Sequence, residues 1–250
     1  MPRTPALRAL VGTAGTASTA LLLAAALAAC SSSSPAPAAA PASTTPAASS
    51  TPTPSVSPAQ LVQQVAMSDA DLANGYTVKL IPGGDQLAGQ VTLDYCGVHF
   101  SSGGRRVARR QVEVLTAAGD PIGVSNEVVA YDTPQDALLA LAQLRAAVTH
   151  CPKTTYVTGT VAGEPAMRYD VSQLTGSSAL PAKDNAIATS GVSAKGQKGE
   201  LYNIEVFQVH GSVLDGVYAS SDTKPTADDT AGVLHLAELT GQRLVATSLI

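Results

Sequence analysis

Residues 31–58 are all Ser, Thr, Pro or Ala, apart from Val56. The tract carries no charge and no large side chain from which a core could be built. Such a composition cannot offset the conformational entropy lost on ordering, so residues 30–58 are predicted to be a solvated, disordered linker with polyproline II character. The linker confines folding to residues 59–250, about 190 residues, which suits one domain with its own core.

The residues before this tract are typical of an export signal. Arg3 and Arg8 precede an apolar run of about 11 residues, which is too short to span a bilayer core of ~30 Å. The run ends in Leu27-Ala28-Ala29-Cys30, which resembles the lipobox of bacterial lipoprotein signal peptides. The resemblance implies a signal peptide over residues 1–29, acylation of Cys30, for instance with palmitate, and an extracytoplasmic lipoprotein anchored in the cell membrane. The alternative is an ordinary secretory signal whose last alanine precedes a cysteine.

The folded part is acidic. All 19 acidic residues lie beyond residue 58, together with 13 of the 15 basic residues, which gives the mature protein a net charge of −6. Nucleic acid is therefore not an expected partner, since nucleic-acid-binding domains carry clustered positive charge. The absence of Trp, with only two Phe, also argues against a surface on which bases stack.

Two cysteines remain if Cys30 takes the lipid. Cys96 and Cys151 are predicted to form a disulfide, since disulfides persist outside the cytoplasm. A competing interpretation is a Cys₂His₂ zinc site, because Cys96-Gly-Val-His99 and His150-Cys151 together supply two thiols and two imidazoles.

Residue periodicity predicts an α+β fold. Ser57-Pro58 caps a short helix, and Thr133-Pro134 begins a longer one that Pro152 stops. A further helix begins after Thr226. Alternating apolar segments separated by turn residues predict seven or eight strands in an antiparallel sheet, with the two main helices covering one side. These segments are residues 76–81, 106–116, 123–131, 155–161, 166–173, 186–194, 201–209 and 212–220.

Several short motifs occur in a fixed order along residues 60–250. They are Gly75-Tyr76-Thr77, Thr92-Leu93-Asp94-Tyr95-Cys96-Gly97, the strand at 124–131, the helix ending in Cys151, and Val209-His210-Gly211-Ser212-Val213. This order resembles the sensor-type lipoproteins of actinobacteria, which are similar to the PknH-like extracellular domain of receptor Ser/Thr kinases. The resemblance implies an α+β domain with a cleft that receives a ligand. Those kinase domains have two disulfides, whereas this chain can form one.

No motif predicts an enzyme. A G-x-S-x-G elbow does not occur. Ser221-Asp222-Thr223-Lys224 matches S-x-x-K, but Pro225 disfavours helical geometry at the lysine. The four histidines show no close metal-binding spacing, and no cofactor is predicted. An unrecognised hydrolase remains the third-ranked hypothesis.

One basic cluster suggests a binding role. Arg105, Arg106, Arg109 and Arg110 lie within six residues and could hold a cell-wall polymer, a phospholipid headgroup or a carboxylate ligand. The alternative is that these arginines pair with acids of the same domain.

The sequence therefore predicts a membrane-anchored lipoprotein that displays a non-catalytic sensor or ligand-binding domain. The expected partners are the membrane, through the lipid, and an unidentified small-molecule, lipid or cell-wall ligand. The rival hypothesis is a structural or protein-interaction lipoprotein of the cell envelope. A receptor is expected to contain an enclosed, largely apolar pocket of several hundred Å³, and an interaction module an exposed apolar patch.

Overall fold

The computed structural model describes residues 56–93, 95–158, 165–172 and 174–247. The predicted signal peptide, Cys30 and the linker up to residue 55 lie outside the described residues. The described part contains seven strands and three α-helices. The strands are β1 Tyr76–Leu80, β2 Arg106–Thr116, β3 Pro121–Tyr131, β4 Met167–Val171, β5 Asp184–Ala194, β6 Leu201–His210 and β7 Val213–Ser221. The helices are α1 Pro58–Val65, α2 Pro134–Thr149 and α3 Ala227–Thr247, and short 3₁₀ turns lie at Asp69–Asp71 and Ser101–Arg105.

The strands form one antiparallel sheet in the order β1-β2-β3-β7-β6-β5-β4. Hairpin connections join β2 to β3 and β6 to β7, and β3 pairs with β7 from Val124 opposite Ala219 to Ala130 opposite Val213. The sheet therefore consists of an N-terminal group, β1–β3, and a C-terminal group, β4–β7, that meet along β3 and β7.

Helices cover both faces of this sheet. Leu141 and Leu144 of α2 pack with Phe207 and Leu214 on one face. The opposite face packs against α1 and α3, with Val128, Val206 and Val217 among its buried residues. Since neighbouring residues of a strand point to opposite faces, both sets of β3 side chains are buried. The expectation that helices cover one side only is wrong, while the predicted α+β class with an antiparallel sheet is confirmed.

The helices begin where their capping residues predict. Ser57 and Gln60 form a reciprocal capping box at α1, and the Thr133 hydroxyl accepts a bond from the Asp136 amide of α2 at 3.2 Å. The predicted apolar stripe of α2 is buried at Ala137, Leu141, Leu144 and Val148. The helix ends at Thr149, so Cys151 lies just beyond it.

One predicted strand, residues 155–161, is not present as such. Val157 forms a single bridge with Met167, and residues 153–156 make a turn and irregular backbone. Residues 159–161 of that prediction lie outside the described part. This bridge adds one residue pair to the β4 edge. The chain turns at residues 153–154, just after Cys151, so only Val157 pairs with the sheet.

Candidate functional site

The disulfide between Cys96 and Cys151 is present, with 5.4 Å between the two Cα atoms. It confirms the predicted pairing and overturns the zinc alternative, because both sulfur atoms are bonded to each other. His150 instead places Nδ1 2.8 Å from the Ala146 carbonyl oxygen. The bond fixes the chain beyond α2 to a long connection between β1 and β2.

That connection turns sharply at the disulfide. Cys96 has a φ of 59°, the only positive φ of a non-glycine residue in the described part, and Gly97 follows at 67°. A Cβ on Gly97 would lie 2.6 Å from the Thr158 carbonyl oxygen, so the glycine permits close backbone packing. Residues 87–93 and 95–104, called the cover loop below, are thereby held against the sheet.

A cavity of about 160 Å³, partly open to solvent, lies between the cover loop and the adjoining ends of β2 and β3. It combines polar side chains with an apolar wall. The polar lining is Gln90, Thr92, His99, Ser102, Arg106 and Tyr131, and the remaining lining is Val91, Leu93, Val98, Phe100, Gly103 and Gly104.

Arg106 is the cationic group of this cavity with the most bonds to the cover loop. Its Nε donates to the Gly103 carbonyl at 2.8 Å, its Nη1 to the Thr92 hydroxyl at 2.8 Å, and its Nη2 to the carbonyls of Gln90 at 2.7 Å and Leu87 at 3.3 Å. The guanidinium is half-buried, and all four acceptors are uncharged.

Arg109 has a different role. Its Nε forms an ion pair with Glu127, and both side chains are almost fully buried. Nη1 donates to the Gly83 carbonyl at 3.2 Å and Nη2 to Gln111 at 2.5 Å. Burial raises the pKa of Glu127, although Arg109 opposes this shift. This pair holds the start of the β1–β2 connection to the sheet.

The four arginines therefore do not form one surface. Thr92 donates to Glu127 at 3.1 Å and accepts from Arg106, so it links Arg106 to the Arg109 ion pair. Arg105 is exposed at the end of a 3₁₀ turn. Arg110 pairs in register with Val128 and so belongs to the face that α1 and α3 cover.

A second buried polar group lies on the α1 and α3 face. Asp215 is fully buried and accepts bonds from Asn126 at 2.6 Å, Thr240 at 2.6 Å and Gln208 at 3.4 Å. Asn126 in turn accepts from the Met67 amide at 2.8 Å. Burial raises the pKa of Asp215 to about 6, against the lowering effect of these hydrogen bonds. The network connects both helices to the middle of the sheet.

A third group lies on the α2 face. Ser190 donates to Glu205 Oε1 at 3.2 Å and accepts from Asn203 at 3.0 Å, while Ser220 donates to Asn203 at 2.7 Å. Burial raises the pKa of Glu205 to about 8. Among the described residues, Glu205 Oε2 and the buried Tyr218 hydroxyl have no hydrogen-bond partner.

The sequence analysis assigned no role to Glu127, Tyr131, Glu205 or Asp215. The sequence signal that could have identified these residues is a carboxylate or a phenol within an otherwise apolar strand, as at Glu127 next to Val128. In a sheet covered on both faces, such a residue is buried whichever way it points.

The two polar residues of the S-x-x-K pattern each contact another side chain. Ser221 Oγ lies 3.0 Å from the Thr223 hydroxyl, and the Lys224 ammonium lies 5.9 Å from the centre of the Tyr202 ring. The helix α3 begins only at Ala227, after Pro225.

No helix in the part of the chain described here is long and apolar enough to cross a bilayer. No protein-family model matches the sequence, and no curated protein matches it. Four chains of solved structure are similar. Among them is the crystal structure of the extracellular domain of PknH from Mycobacterium tuberculosis, at a TM-score of 0.50 and 12% identity, covering 75% of this chain and 96% of that chain. The resemblance expected for residues 60–250 is thus confirmed at the level of the fold.

Proposed function

We propose that this chain is an extracytoplasmic lipoprotein of the actinobacterial sensor type, anchored in the cell membrane through an acylated Cys30. The linker of residues 30–58 holds a non-catalytic sensor or ligand-binding domain away from the bilayer. Support comes from three independent features. These are the lipobox-like residues 27–30, the disulfide suited to an oxidising compartment, and the shared fold with a domain described as extracellular.

The cavity under the cover loop carries the ligand-binding part of the proposal. Small-molecule sites are concave and combine apolar walls with a few placed polar groups. The cavity has this composition, but at about 160 Å³ and partly open to solvent it is smaller and less enclosed than the pocket expected of a receptor. A disulfide and a buried ion pair fix its surroundings. Arg106 and Tyr131 supply polar groups from paired strands, which are more rigid than loops.

The anchor is tested by substituting the cysteine. The full chain is produced in a bacterium that processes lipoproteins, beside a Cys30→Ala variant. The wild-type chain is expected in the membrane fraction and in the detergent phase after Triton X-114 partition, with labelled palmitate incorporated. The variant is expected to lose the label and to leave the detergent phase. Equal partition of the two chains contradicts lipid anchoring.

The ligand is sought by native mass spectrometry of the full chain purified in detergent. A small molecule that copurifies with the wild-type chain and is lost on denaturation supports a receptor. If no such molecule is present, and extracts of bacterial metabolites do not raise the melting temperature, the ligand-binding proposal fails.

The rival interaction module calls for a contiguous exposed apolar patch. In the described residues the most exposed large apolar side chains come from several elements and loops. Leu138 and Leu139 are sequence neighbours on α2, and Val91 and Val98 line the cavity itself. This distribution favours the receptor over the interaction module.

A further inference from the structure

The charge of Arg106 is not neutralised by a carboxylate in contact with it among the described residues. Its four hydrogen bonds go to three carbonyls and a hydroxyl. Arg109 and Arg243 differ in this respect. Arg109 contacts Glu127, and Arg243 contacts Asp71 at 2.7 Å. Glu127 also interacts electrostatically with Arg106, through Thr92, but without direct contact. One carboxylate thus faces two guanidinium groups, and because buried charges are normally paired, an anion beside the half-buried Arg106 would balance the second.

Arg106 also has an N–H left for such an anion. A guanidinium carries five N–H groups, and the bonds to the cover loop use four of them. The remaining one is on Nη1. Tyr131 lies opposite Arg106 in the β2–β3 register and lines the same cavity. Burial, together with the Glu127 carboxylate, raises the pKa of Tyr131, so its phenol stays protonated and able to donate.

The rest of the lining fits an apolar group. Val91, Leu93, Val98 and Phe100 form this wall, and Leu93 and Phe100 are buried. The volume of about 160 Å³ is close to that of a protein cavity of ~150 Å³ that holds one benzene molecule. A long acyl chain or a nucleotide is larger than this space and would lie mostly outside it.

We propose that this cavity binds a small organic carboxylate, with the carboxylate at Arg106 and Tyr131 and a short apolar part against Val98 and Phe100. The inference rests on the proposed ligand-binding function and specifies its ligand class. Inorganic phosphate leaves the apolar wall without a contact. An amine places its positive charge beside Arg106.

The test uses three probes of similar size and different charge, namely benzoate, benzamide and benzylamine. Each is titrated into the full wild-type chain in detergent, with a detergent blank, and binding is measured by calorimetry. Benzoate is expected to bind at least about 10-fold more tightly than benzamide, since charge-assisted bonds to guanidinium are the stronger ones. Benzylamine is expected not to bind.

Two arginine variants locate the site. Arg106→Gln is expected to weaken benzoate binding at least about 10-fold. Arg105→Gln removes the same charge from the neighbouring exposed residue, which does not line the cavity, and is expected to change the affinity less than about 3-fold. Because Arg106 also holds the cover loop, Tyr131→Phe provides a second variant that removes one hydroxyl only. It is expected to weaken benzoate binding while leaving the melting temperature within about two degrees of wild type.

The outcomes separate the two proposals. Equal binding of benzoate and benzamide, or undiminished benzoate binding in both Arg106→Gln and Tyr131→Phe, overturns the carboxylate assignment and leaves the receptor function in place. If none of the probes binds, the carboxylate assignment falls. The receptor function falls with it only when native mass spectrometry and metabolite extracts are also negative.

Discussion

Glu205 and Asp215 are acids buried in the middle strands of the sheet on opposite faces. Neither has a basic side chain in hydrogen-bonding contact in the described residues, and desolvation is the largest influence on each. The pKa rises to about 8 for Glu205 and about 6 for Asp215. The folded state therefore binds protons more tightly at these two positions than the unfolded chain does.

Because the pKa of each carboxyl is higher in the folded state than in the unfolded chain, these two residues make the free energy of unfolding fall as the pH rises. At Glu205 the unfolded carboxyl loses its proton near pH 4.5 and the folded one near pH 8. Stability from this residue is complete below pH 4.5 and is lost up to pH 8, with a limiting slope of about 1.4 kcal/mol per pH unit. Glu205→Gln is expected to flatten the curve of unfolding free energy against pH in urea titrations between pH 5 and 8. Glu238→Gln, at an exposed acid, is the control, and a Glu205→Gln curve parallel to wild type contradicts the prediction.

The buried pair of Arg109 and Glu127 gives a second prediction at this scale. Arg109→Met leaves the Glu127 carboxylate buried without its countercharge and is expected to lower the unfolding free energy by about 3–5 kcal/mol. The double variant Arg109→Met with Glu127→Leu removes both charges and is expected to recover most of this loss. Chemical unfolding monitored by circular dichroism provides the measurement. Equal losses in the single and double variants would contradict the expected recovery. With Glu127→Leu alone measured as well, a double-variant loss equal to the sum of the two single losses would show that the pair is not energetically coupled.

The sequence could show a basic cluster, but it could not separate its members. Gln111 lies opposite Glu127 in the β2–β3 register, so Arg109, two residues away on the same face of β2, is diagonal to Glu127 and reaches it. The register shifts between Arg106 and Ala108, and Arg106 lies at the cavity. Register is set by the hydrophobic pattern and the turn geometry, and a bulge redirects the side chains beside it, so the charged residues of a cluster do not themselves show where each one points. A cation that lines a cavity and one that is buried in an ion pair therefore have the same appearance in the sequence.

Elements with strong local signals were predicted well. The alternation of residues 106–116 gave the bounds of β2, and the Thr133-Pro134 cap gave the start of α2. Residues 155–158 contain β-branched and aromatic residues but form only the bridge at Val157. A strand needs a partner edge along its length, and propensity alone does not supply one. The burial of both sheet faces was also missed, because strand alternation with polar residues suggested one solvated side.

The turn at the disulfide yields a prediction about the cover loop. Gly97 and Gly89 both have positive φ, 67° and 72°, but an added Cβ has open space at Gly89 and meets the Thr158 carbonyl at Gly97. Gly89→Ala is expected to cost about 1 kcal/mol from backbone strain alone. Gly97→Ala adds the collision and is expected to cost about 3 kcal/mol. Thermal unfolding of the two variants measures the difference, and equal melting temperatures contradict the packing of Gly97 on residue 158.

For the molecule as a whole, the disulfide closes a loop with a sequence separation of 55 residues. In the chain-entropy description such a loop stabilises the folded state by about 4 kcal/mol. Cys96→Ser with Cys151→Ser is expected to lower the unfolding free energy by about this amount. Wild-type protein unfolded in the presence of a reductant serves as the matched control and should give the same value. A loss below about 1 kcal/mol would mean that the covalent link adds little to the packing of the loop.

The pairing of β3 with β7 determines when this domain can be completed. Asn126 on β3 and Gly216 on β7 are 90 positions apart in the sequence. A chain that crosses a membrane N-terminus first therefore holds β1–β3 as a three-stranded ribbon with an unpaired edge until its last strand emerges. Open edges of this kind pair readily with other chains. The β3 edge is thus expected to need protection from other chains until β7 is available. A truncation before β7 leaves two incomplete ribbons instead of a smaller functional unit.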